Sequence, residues 1–160
     1  MRGGGWQNGI MRNCSQTNPR IDQVGIICYR FNKDKLEFLL VRTSDRLWIF
    51  PKGNIEKNES LWRAAEREAF EEGGVSGEIE TEPLTNFLHL KKGLKQEEIE
   101  LNVAVFLLHV KSCRKPLENH REPTWFDPTG AEKALSEGRS FKYSEEFKRV
   151  IRLACGRINE

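Results

Sequence analysis

The segment that most restricts the fold of this chain is residues 60–72, SLWRAAEREAFEE, whose spacing predicts a helix. At about 100° per residue, its apolar residues share one broad face. They are Leu61, Ala64, Ala65 and Ala69. Glu68 and Glu72 fall in the middle of that face, one turn apart, and Glu71 falls at its edge. Burying carboxylates without partners costs several kcal/mol, so positive charge must compensate if this helix packs on a core.

The nearest source of that charge is not sufficient. Arg67 falls on the other side of the helix and is too little for three carboxylates. Carboxylate oxygens are the ligands that hard divalent cations prefer, which predicts Mg²⁺ or Mn²⁺ beside this helix. A glycine loop precedes the helix, and glycine lets main-chain groups approach a metal ion or a phosphate closely. The pattern therefore favours a metal site over a solvated acidic surface.

Runs of β-branched and apolar residues predict that strands surround this helix. The expected strands cover residues 24–31, 36–42, 46–50, 75–84, 86–92 and 98–110. Residues 51–59 are typical of a loop, and Asn58 or Ser60 can cap the helix that follows. Because strands, a helix, more strands and final helices follow one another, we expect an α/β or α+β sandwich with helices packed on a mixed sheet.

Two further helices are expected near the end of the chain. Thr129 and Glu132 have the spacing of a capping box before AEKALSE, and Gly138 follows as the closing glycine. Ser144 is expected to begin the last helix, EEFKRVIRLAC, and Gly156 to close it.

Length and charge limit the classes of protein to which the chain can belong. Its 160 residues fit one compact domain, expected over residues 21–160 after a flexible extension over residues 1–20. The 26 basic and 24 acidic residues nearly balance, and the basic excess lies in the extension. A nucleic-acid-binding surface is therefore not expected. No apolar run could span a membrane and no secretion signal is visible, so we expect a cytoplasmic protein. The pattern specifies no oligomeric state.

The helix and the loop before it also carry a long spaced motif. Read from Gly53 to Val75, it is G-x5-E-x7-R-E-A-F-E-E-G-G-V. It resembles the Nudix box, G-x5-E-x7-R-E-U-x-E-E-x-G-U, where U is a bulky aliphatic residue; Ala69 is the one small residue at such a position. The resemblance to the Nudix hydrolase family extends over about residues 21–155. It implies the Nudix fold, which is an α/β/α sandwich with a mixed β-sheet.

The resemblance also implies a chemistry. Nudix enzymes hydrolyse a pyrophosphate bond in a nucleoside diphosphate linked to another group, with Mg²⁺ or Mn²⁺ as cofactor. The implied metal ligands on this chain are Glu68, Glu71, Glu72 and the backbone carbonyl of Lys52. The residues implied to fix the loop against the helix and to orient those ligands are Glu59, Arg67 and Gly53. The implied catalytic residues are Glu71, Glu72 and Arg67.

Hydrolysis also needs a general base that takes a proton from the attacking water. Glu71 is the first candidate. The alternatives are four later acids, Glu97, Glu98, Glu100 and Glu118. Glu98 and Glu100 alternate onto one face of a predicted strand, and that face lies either at the site or in water.

Two segments outside the box bear on the substrate. W-I-F-P-K-G at residues 48–53 and HREPTWFDPTGAEKAL at residues 120–135 resemble the diadenosine polyphosphate hydrolases and the diphosphoinositol polyphosphate phosphohydrolases. The expected substrate is a dinucleoside polyphosphate such as diadenosine tetraphosphate. The residues expected to contact it are Lys52, Arg42, Trp48, Lys91, Lys92 and Arg121. Trp125 is expected instead to anchor the following helix to the sheet.

Other substrates and one other class of function stay open. The same chemistry could remove pyrophosphate from the 5′ end of RNA, or could cleave a diphosphoinositol polyphosphate or a nucleotide sugar. The lack of a basic surface counts against RNA. The alternative outside enzymes is a non-catalytic nucleotide sensor on the same fold, and the intact box counts against it.

Overall fold

In the computed structural model, residues 20–160 are described, and they form a sheet of eight strands with three α-helices. The extension predicted over residues 1–20 lies outside the described residues, apart from Arg20. The strands are β1 (Gln23–Asn32), β2 (Lys35–Arg42), β3 (Trp48–Ile49), β4 (Lys52–Asn54), β5 (Val75–Ile79), β6 (Thr85–Lys92), β7 (Glu98–Cys113) and β8 (Thr124–Phe126). The helices are α1 (Leu61–Gly73), α2 (Pro128–Ser136) and α3 (Phe141–Ile158), with a 3₁₀ turn at Asn119–Arg121.

The sheet is mixed because β1 and β7 run parallel at its centre, while the other strand pairs are antiparallel. β2 pairs with β1 and is flanked by β3 and β8, whereas β5 and β6 both pair with β7. β4 pairs with the first residues of β1, where Gly25 lies opposite Lys52 and Val24 opposite Gly53. The start of the box is thus attached to a central strand.

Alternation along the strands divides the core into two layers. On one side, the sheet packs with alanines of α1, in a layer that includes Val24, Ile26, Cys28, Ala64, Ala65 and Ala69. On the other side, the sheet packs with α2 and α3, in a layer that includes Ile27, Leu40, Leu135, Phe147 and Ile151. These two layers confirm the predicted fold class, an α/β/α sandwich with a mixed sheet.

α2 begins earlier than the sequence predicts. The side chain of Asp127 accepts a hydrogen bond from the backbone N–H of Gly130 at 2.6 Å, which makes Asp127 the N-cap. Pro128 follows it in the first turn, where a proline loses no helical hydrogen bond. The capping box predicted at Thr129 and Glu132 is therefore wrong, because an earlier cap is available.

α3 is longer than predicted at both ends. It starts after Ser140, and Ser144 is a buried residue within it. It continues through Gly156 to Ile158, so the prediction that Gly156 closes it is wrong. The helix continues because Ile158 still packs on the core. One exposed glycine costs a helix only about 1 kcal/mol.

Two short strands lie where the sequence predicts other structure. β4 lies within the predicted loop, and β8 places Trp125 beside β2. Trp125 packs on the α1 side of the sheet, with the Arg30 guanidinium 4.0 Å from the centre of its ring. α2 packs on the opposite side together with Phe126. The prediction that Trp125 anchors this helix is therefore wrong.

We predict that Gly156→Ala stabilises the protein by about 0.5–1 kcal/mol, because alanine loses less backbone entropy than glycine in a helix. Gly156 is exposed, and an added Cβ would meet no atom within 4 Å. Thermal unfolding should show a Tm about 2–4 °C higher. Gly74→Ala should lower the Tm, because Gly74 has a φ of 67° and its Cβ would clash with the Arg114 carbonyl. An unchanged or lower Tm for Gly156→Ala would contradict a continuous α3.

Candidate active site

The glutamates of α1 lie where this helix meets β4. Glu68 is 7% exposed and Glu72 is 4% exposed, while Glu71 is half-buried. The helix begins after Ser60, whose side chain makes no capping hydrogen bond, and it ends before Gly74, which has a left-handed φ of 67°. The buried face of α1 therefore carries carboxylates as well as alanines, as the helical spacing predicts.

The main chain of β4 lies against two of these carboxylates. The backbone N–H of Lys52 donates to Oε2 of Glu72 at 3.3 Å. A Cβ at Gly53 would clash with the carboxyl group of Glu68, so glycine is what lets the strand come this close. Because β4 is paired with β1, the position of this main chain is set by the sheet.

Arg67 connects the box loop, the helix and the carboxylates. Its Nε and Nη2 each lie 2.9 Å from an oxygen of Glu59, which makes a two-pronged ion pair. Its Nη1 donates to Glu68 at 2.8 Å and to Glu71 at 3.2 Å, and Nη2 also donates to the Asn54 carbonyl at 2.9 Å. The pairing with Glu59 raises the pKa of Arg67 and lowers the pKa of Glu59. The helical wheel puts Arg67 on the far side, but its long side chain reaches back to the glutamates.

Arg121 brings a second guanidinium to the site from the 3₁₀ turn. Its Nη2 lies 3.3 Å from Oε1 of Glu72, and its Nε lies 2.6 Å from Oε2 of Glu118. Its Nη1 donates to the Arg42 carbonyl at 3.3 Å. The backbone N–H of Glu118 donates to the Glu71 carbonyl at 3.1 Å. Glu118 is thus joined to α1 both directly and through Arg121.

The other later acids lie elsewhere. Glu97 accepts a hydrogen bond from the main chain of the β6–β7 turn, Glu100 contacts α3, and Glu98 is exposed at the start of β7. In the described part of the chain, none of the three has a hydrogen bond or ion pair to the glutamates of α1. We define the carboxylate cluster as Glu68, Glu71, Glu72 and Glu118.

Burial makes negative charge costly in this cluster. It raises the pKa of Glu72 to about 8, and Glu68 adds to this effect while Arg121 opposes it. Burial also raises the pKa of Glu68, against the effect of Arg67. It lowers the pKa of the neighbouring Lys52 to about 8, although the charge of Glu72 opposes this. The cluster has four carboxylates and two guanidinium groups, so a further cation would stabilise its ionised form.

The donors of the cluster fit a hard divalent cation, because all of them are carboxylate oxygens. Within residues 20–160, however, no three His, Cys, Asp or Glu side chains already form a ready-made ligand set. Arg67 bridges Glu68 and Glu71, and Arg121 bridges Glu72 and Glu118. A cation bound here would therefore share these carboxylates with the two guanidinium groups.

A cleft of about 620 Å³ lies between the start of β1, the end of β4 and the β6–β7 turn, and the residues of the carboxylate cluster do not line it. Lys91, Lys92 and Lys95 line it. Gln23 and Asn54 also line the cleft and connect it to the residues around the cluster. The Asn54 carbonyl accepts the hydrogen bond from Arg67, and Oε1 of Gln23 accepts one from Nζ of Lys52 at 3.1 Å.

Arg42 and Trp48 form a stacked unit at the end of β2. The guanidinium carbon of Arg42 lies 3.6 Å from the centre of the Trp48 ring. That ring also meets Phe126 edge to face, with 5.0 Å between the ring centres. Because the Arg42 carbonyl accepts from Arg121, this unit adjoins the cluster. The residues expected to contact substrate thus fall into one group of Lys52, Lys91 and Lys92, and another of Arg42, Trp48 and Arg121.

Gln23 is a residue of this site that the sequence analysis misses. It is 6% exposed, and its side-chain amide also donates to Oδ1 of Asn54 at 3.1 Å, so it links Asn54 with Lys52. The only sequence signal is a polar residue at the start of an apolar strand. Its role depends on the pairing of β1 with β4, which the sequence pattern does not reveal.

The arrangement of a buried acidic helix face, a box glycine and a bridging arginine agrees with the comparison to known proteins. The profile of the NUDIX domain matches residues 19–147. This chain belongs to the Nudix family. The Nudix match includes all four residues of the carboxylate cluster and the strands that hold them.

Two curated Nudix relatives illustrate the match. The asymmetrical bis(5′-nucleosyl)-tetraphosphatase of Caenorhabditis elegans is 37% identical over 60 residues, which cover 36% of this chain and 44% of that protein. Nudix hydrolase 12, mitochondrial, of Arabidopsis thaliana is 46% identical over 124 residues, which cover 74% of this chain and 61% of that protein. The chain thus spans about half the length of these relatives. The cytoplasmic location stays a prediction.

A solved structure shows the shared Nudix fold. The binary complex of a C. elegans Ap4A hydrolase matches with a TM-score of 0.64 and 21% identity, covering 88% of this chain and 98% of that one.

Among the helices of residues 20–160, none has the length and apolar character needed to cross a membrane.

We predict that Gly53→Ala weakens Mn²⁺ binding at least about tenfold, as measured by titration calorimetry, because the added methyl displaces the Glu68 carboxyl group. The Tm should fall by less than about 3 °C, since the clash is with the end of a flexible side chain. Gly156→Ala is the matched control and should keep the wild-type Mn²⁺ affinity. Unchanged Mn²⁺ affinity in Gly53→Ala would contradict the need for this close approach.

Proposed function

We propose that this Nudix chain is a Mg²⁺- or Mn²⁺-dependent hydrolase that cleaves a pyrophosphate bond in a nucleoside diphosphate derivative. The observation that carries this proposal is the buried carboxylate cluster beside the main chain of Lys52 and Gly53. Buried charges are weak contributors to stability, because desolvation offsets their attraction to partners. A cluster with more carboxylates than guanidinium groups is therefore better explained by a cationic ligand than by a role in folding.

We assign the residues of the cluster and its surroundings three different roles. The groups that would hold the cation are Glu68, Glu71, Glu72 and the Lys52 carbonyl. When bound, the cation neutralises charge on phosphate oxygens and lowers the pKa of a bound water. Arg67 and Glu59 orient the ligands, because their two-pronged pair joins the box loop to α1. Gly53 leaves room for the Glu68 carboxylate at β4.

Removal of the water proton would fall to Glu71 or Glu118. Glu71 is our first candidate because its side chain is 33% exposed, so it can reach water more readily than Glu68 or Glu72. Glu118 is the second, because its carboxylate shares Arg121 with Glu72. Glu97, Glu98 and Glu100 are weaker candidates, because their contacts lie outside the cluster.

We propose a dinucleoside polyphosphate, such as diadenosine tetraphosphate, as the substrate. Its chain of phosphates needs several cations along its length, and the cleft supplies lysines and connects to the surroundings of the cluster through Asn54 and Gln23. The acids of this cleft are already engaged, since Asp22 accepts from the Asn102 N–H and Glu97 from the Lys95 N–H, each at 2.8 Å. The lysines are thus left to bind anions.

A base at the other end of the substrate could stack on the Arg42–Trp48 unit. The name of the C. elegans tetraphosphatase supports the same substrate class.

We predict that Glu68→Gln and Glu72→Gln each lower kcat at least about 100-fold with Mg²⁺, because each loses a charged ligand oxygen. Release of nucleotide products from diadenosine tetraphosphate is the measurement. Glu66→Gln is the matched control on the same helix, because Glu66 has no hydrogen bond or ion pair within the described residues. It should retain activity within about twofold.

Full activity in both cluster variants would refute the proposed site. Glu71→Gln and Glu118→Gln separate the two general bases, since the base variant should show the larger loss of kcat when Mn²⁺ is saturating. If the wild-type chain binds Mn²⁺ and nucleotides but turns over no diphosphate compound, the nucleotide sensor is correct instead.

We predict that the double variant Lys91→Gln/Lys92→Gln raises the KM for diadenosine tetraphosphate about tenfold, because two phosphate contacts are lost. Its KM for a two-phosphate nucleotide sugar should change less than twofold, since that substrate is too short to occupy the cleft. Lys111→Gln, at an exposed position of β7, is the control. A wild-type preference for a nucleotide sugar, a diphosphoinositol polyphosphate or 5′-triphosphate RNA would refute the substrate proposal.

A further inference from the structure

Glu72 has one ion-pair partner among residues 20–160, the guanidinium of Arg121 at 3.3 Å. The other contact of its carboxylate is the backbone N–H of Lys52. The same guanidinium lies 2.6 Å from Glu118 and donates to the Arg42 carbonyl, so all three of its nitrogens contact protein oxygens. The Arg121 side chain is 23% exposed, and therefore most of this ion pair is shielded from water.

A divalent cation held by either oxygen of Glu72 would lie close to the guanidinium of Arg121, because both groups would contact the same carboxylate. Arginine stays protonated under all ordinary conditions, so its charge cannot be removed to make room for the ion. Two positive groups at one buried carboxylate would repel each other strongly, since screening by water is weak there. The cation and the guanidinium of Arg121 therefore compete for Glu72.

We propose that Arg121 neutralises Glu72 until the cation binds, and that it then leaves Glu72 and contacts a substrate phosphate. This inference rests on the proposed function, because it concerns the same cation and the same substrate. A planar guanidinium suits a two-pronged contact with phosphate. Cation and substrate are then coupled, since both favour the arrangement in which Arg121 has left Glu72.

The surroundings of Arg121 allow such a movement. The 3₁₀ turn that carries it is attached to the β2–β3 connection by Arg46, whose guanidinium lies 2.7 Å from Glu122 and 3.4 Å from the His120 carbonyl. These contacts hold the neighbours of Arg121, not its own guanidinium. Glu122 adopts a left-handed φ of 47°, which is uncommon for a residue with a Cβ and gives the chain a sharp bend here. The side chain of Arg121 can therefore turn while its main chain stays anchored.

The test compares the thermal unfolding of the wild type and Arg121→Met as Mn²⁺ is added. Without the ion, Arg121→Met should have a Tm roughly 5 °C below that of the wild type, because Glu72 loses its partner. At saturating Mn²⁺ the difference should become clearly smaller, since the contact with Glu72 is then absent from both proteins and only the contact with Glu118 still distinguishes them. Calorimetry should correspondingly show about tenfold tighter Mn²⁺ binding by Arg121→Met. A Tm difference that stays the same at saturation, with unchanged Mn²⁺ affinity, would overturn the proposal.

Two further variants serve as a control and as a substitute for Arg121→Met. Arg46→Met removes a nearby positive charge and the contacts that hold the same turn, but it leaves the ion pair of Arg121 with Glu72 in place. Its Tm difference from the wild type should therefore be the same with and without Mn²⁺. Arg121→Lys keeps the charge but loses the guanidinium fork, and it serves if Arg121→Met does not fold. It should bind Mn²⁺ at least as tightly as the wild type, because its ammonium keeps the competing charge but holds Glu72 less firmly than the guanidinium; weaker Mn²⁺ binding than in the wild type would contradict the proposal.

Kinetics supply the second readout. With Mn²⁺ saturating, Arg121→Lys should raise the KM for diadenosine tetraphosphate about tenfold and change kcat less than threefold, because a phosphate contact is weakened. An unchanged KM would remove the substrate half of the proposal. If the wild type binds no Mn²⁺, the proposed function and this inference both fail. If the wild type binds Mn²⁺ and turns over substrate, but Mn²⁺ leaves the Tm difference between the wild type and Arg121→Met unchanged, only this inference fails.

Discussion

The ion pair between Arg67 and Glu59 holds the box loop and α1 in one arrangement. A guanidinium is planar and rigid, so two contacts to one carboxylate fix both its position and its plane. The remaining N–H groups of Arg67 then point at Glu68, Glu71 and the Asn54 carbonyl. The orientation of Glu68 and Glu71 follows from this one pair. A lysine could supply the charge at this position, but it could not fix the geometry.

Small residues bring the helix close enough for this arrangement to matter. α1 packs on the sheet through three fully buried alanines, and Ala69 stands where the Nudix box has a bulky aliphatic residue. Gly53 lets β4 approach Glu68 from the other direction. With little apolar volume in between, the carboxylates of Glu68 and Glu72 lie at the strand and away from water. The same close approach raises the pKa of Glu68 and Glu72 through burial and creates the need for a cation.

The parts of the site that the sequence predicts well are those joined within the box. Glu68 and Glu72 are one helical turn apart, so spacing alone brings them together, and the resemblance to the box implies the pair of Glu59 and Arg67. The helix ends near residues 127 and 156 are predicted poorly, because competing caps and core contacts decide them. Asp127 caps α2 in place of the capping box predicted at Thr129. In α3, the packing of Ile158 on the core outweighs the tendency of Gly156 to end the helix.

The sequence by itself determined the family, the sandwich of helices on a mixed sheet, and a helix whose buried face carries glutamates. These depend on local periodicity and on a motif of 23 residues, which short-range geometry links. Only the tertiary structure decided which distant residues join the cluster. Gln23 arrives through the pairing of β1 with β4, and Glu118 and Arg121 arrive on the chain after β7. Their places depend on contacts between residues far apart in the chain, and no local pattern encodes such contacts.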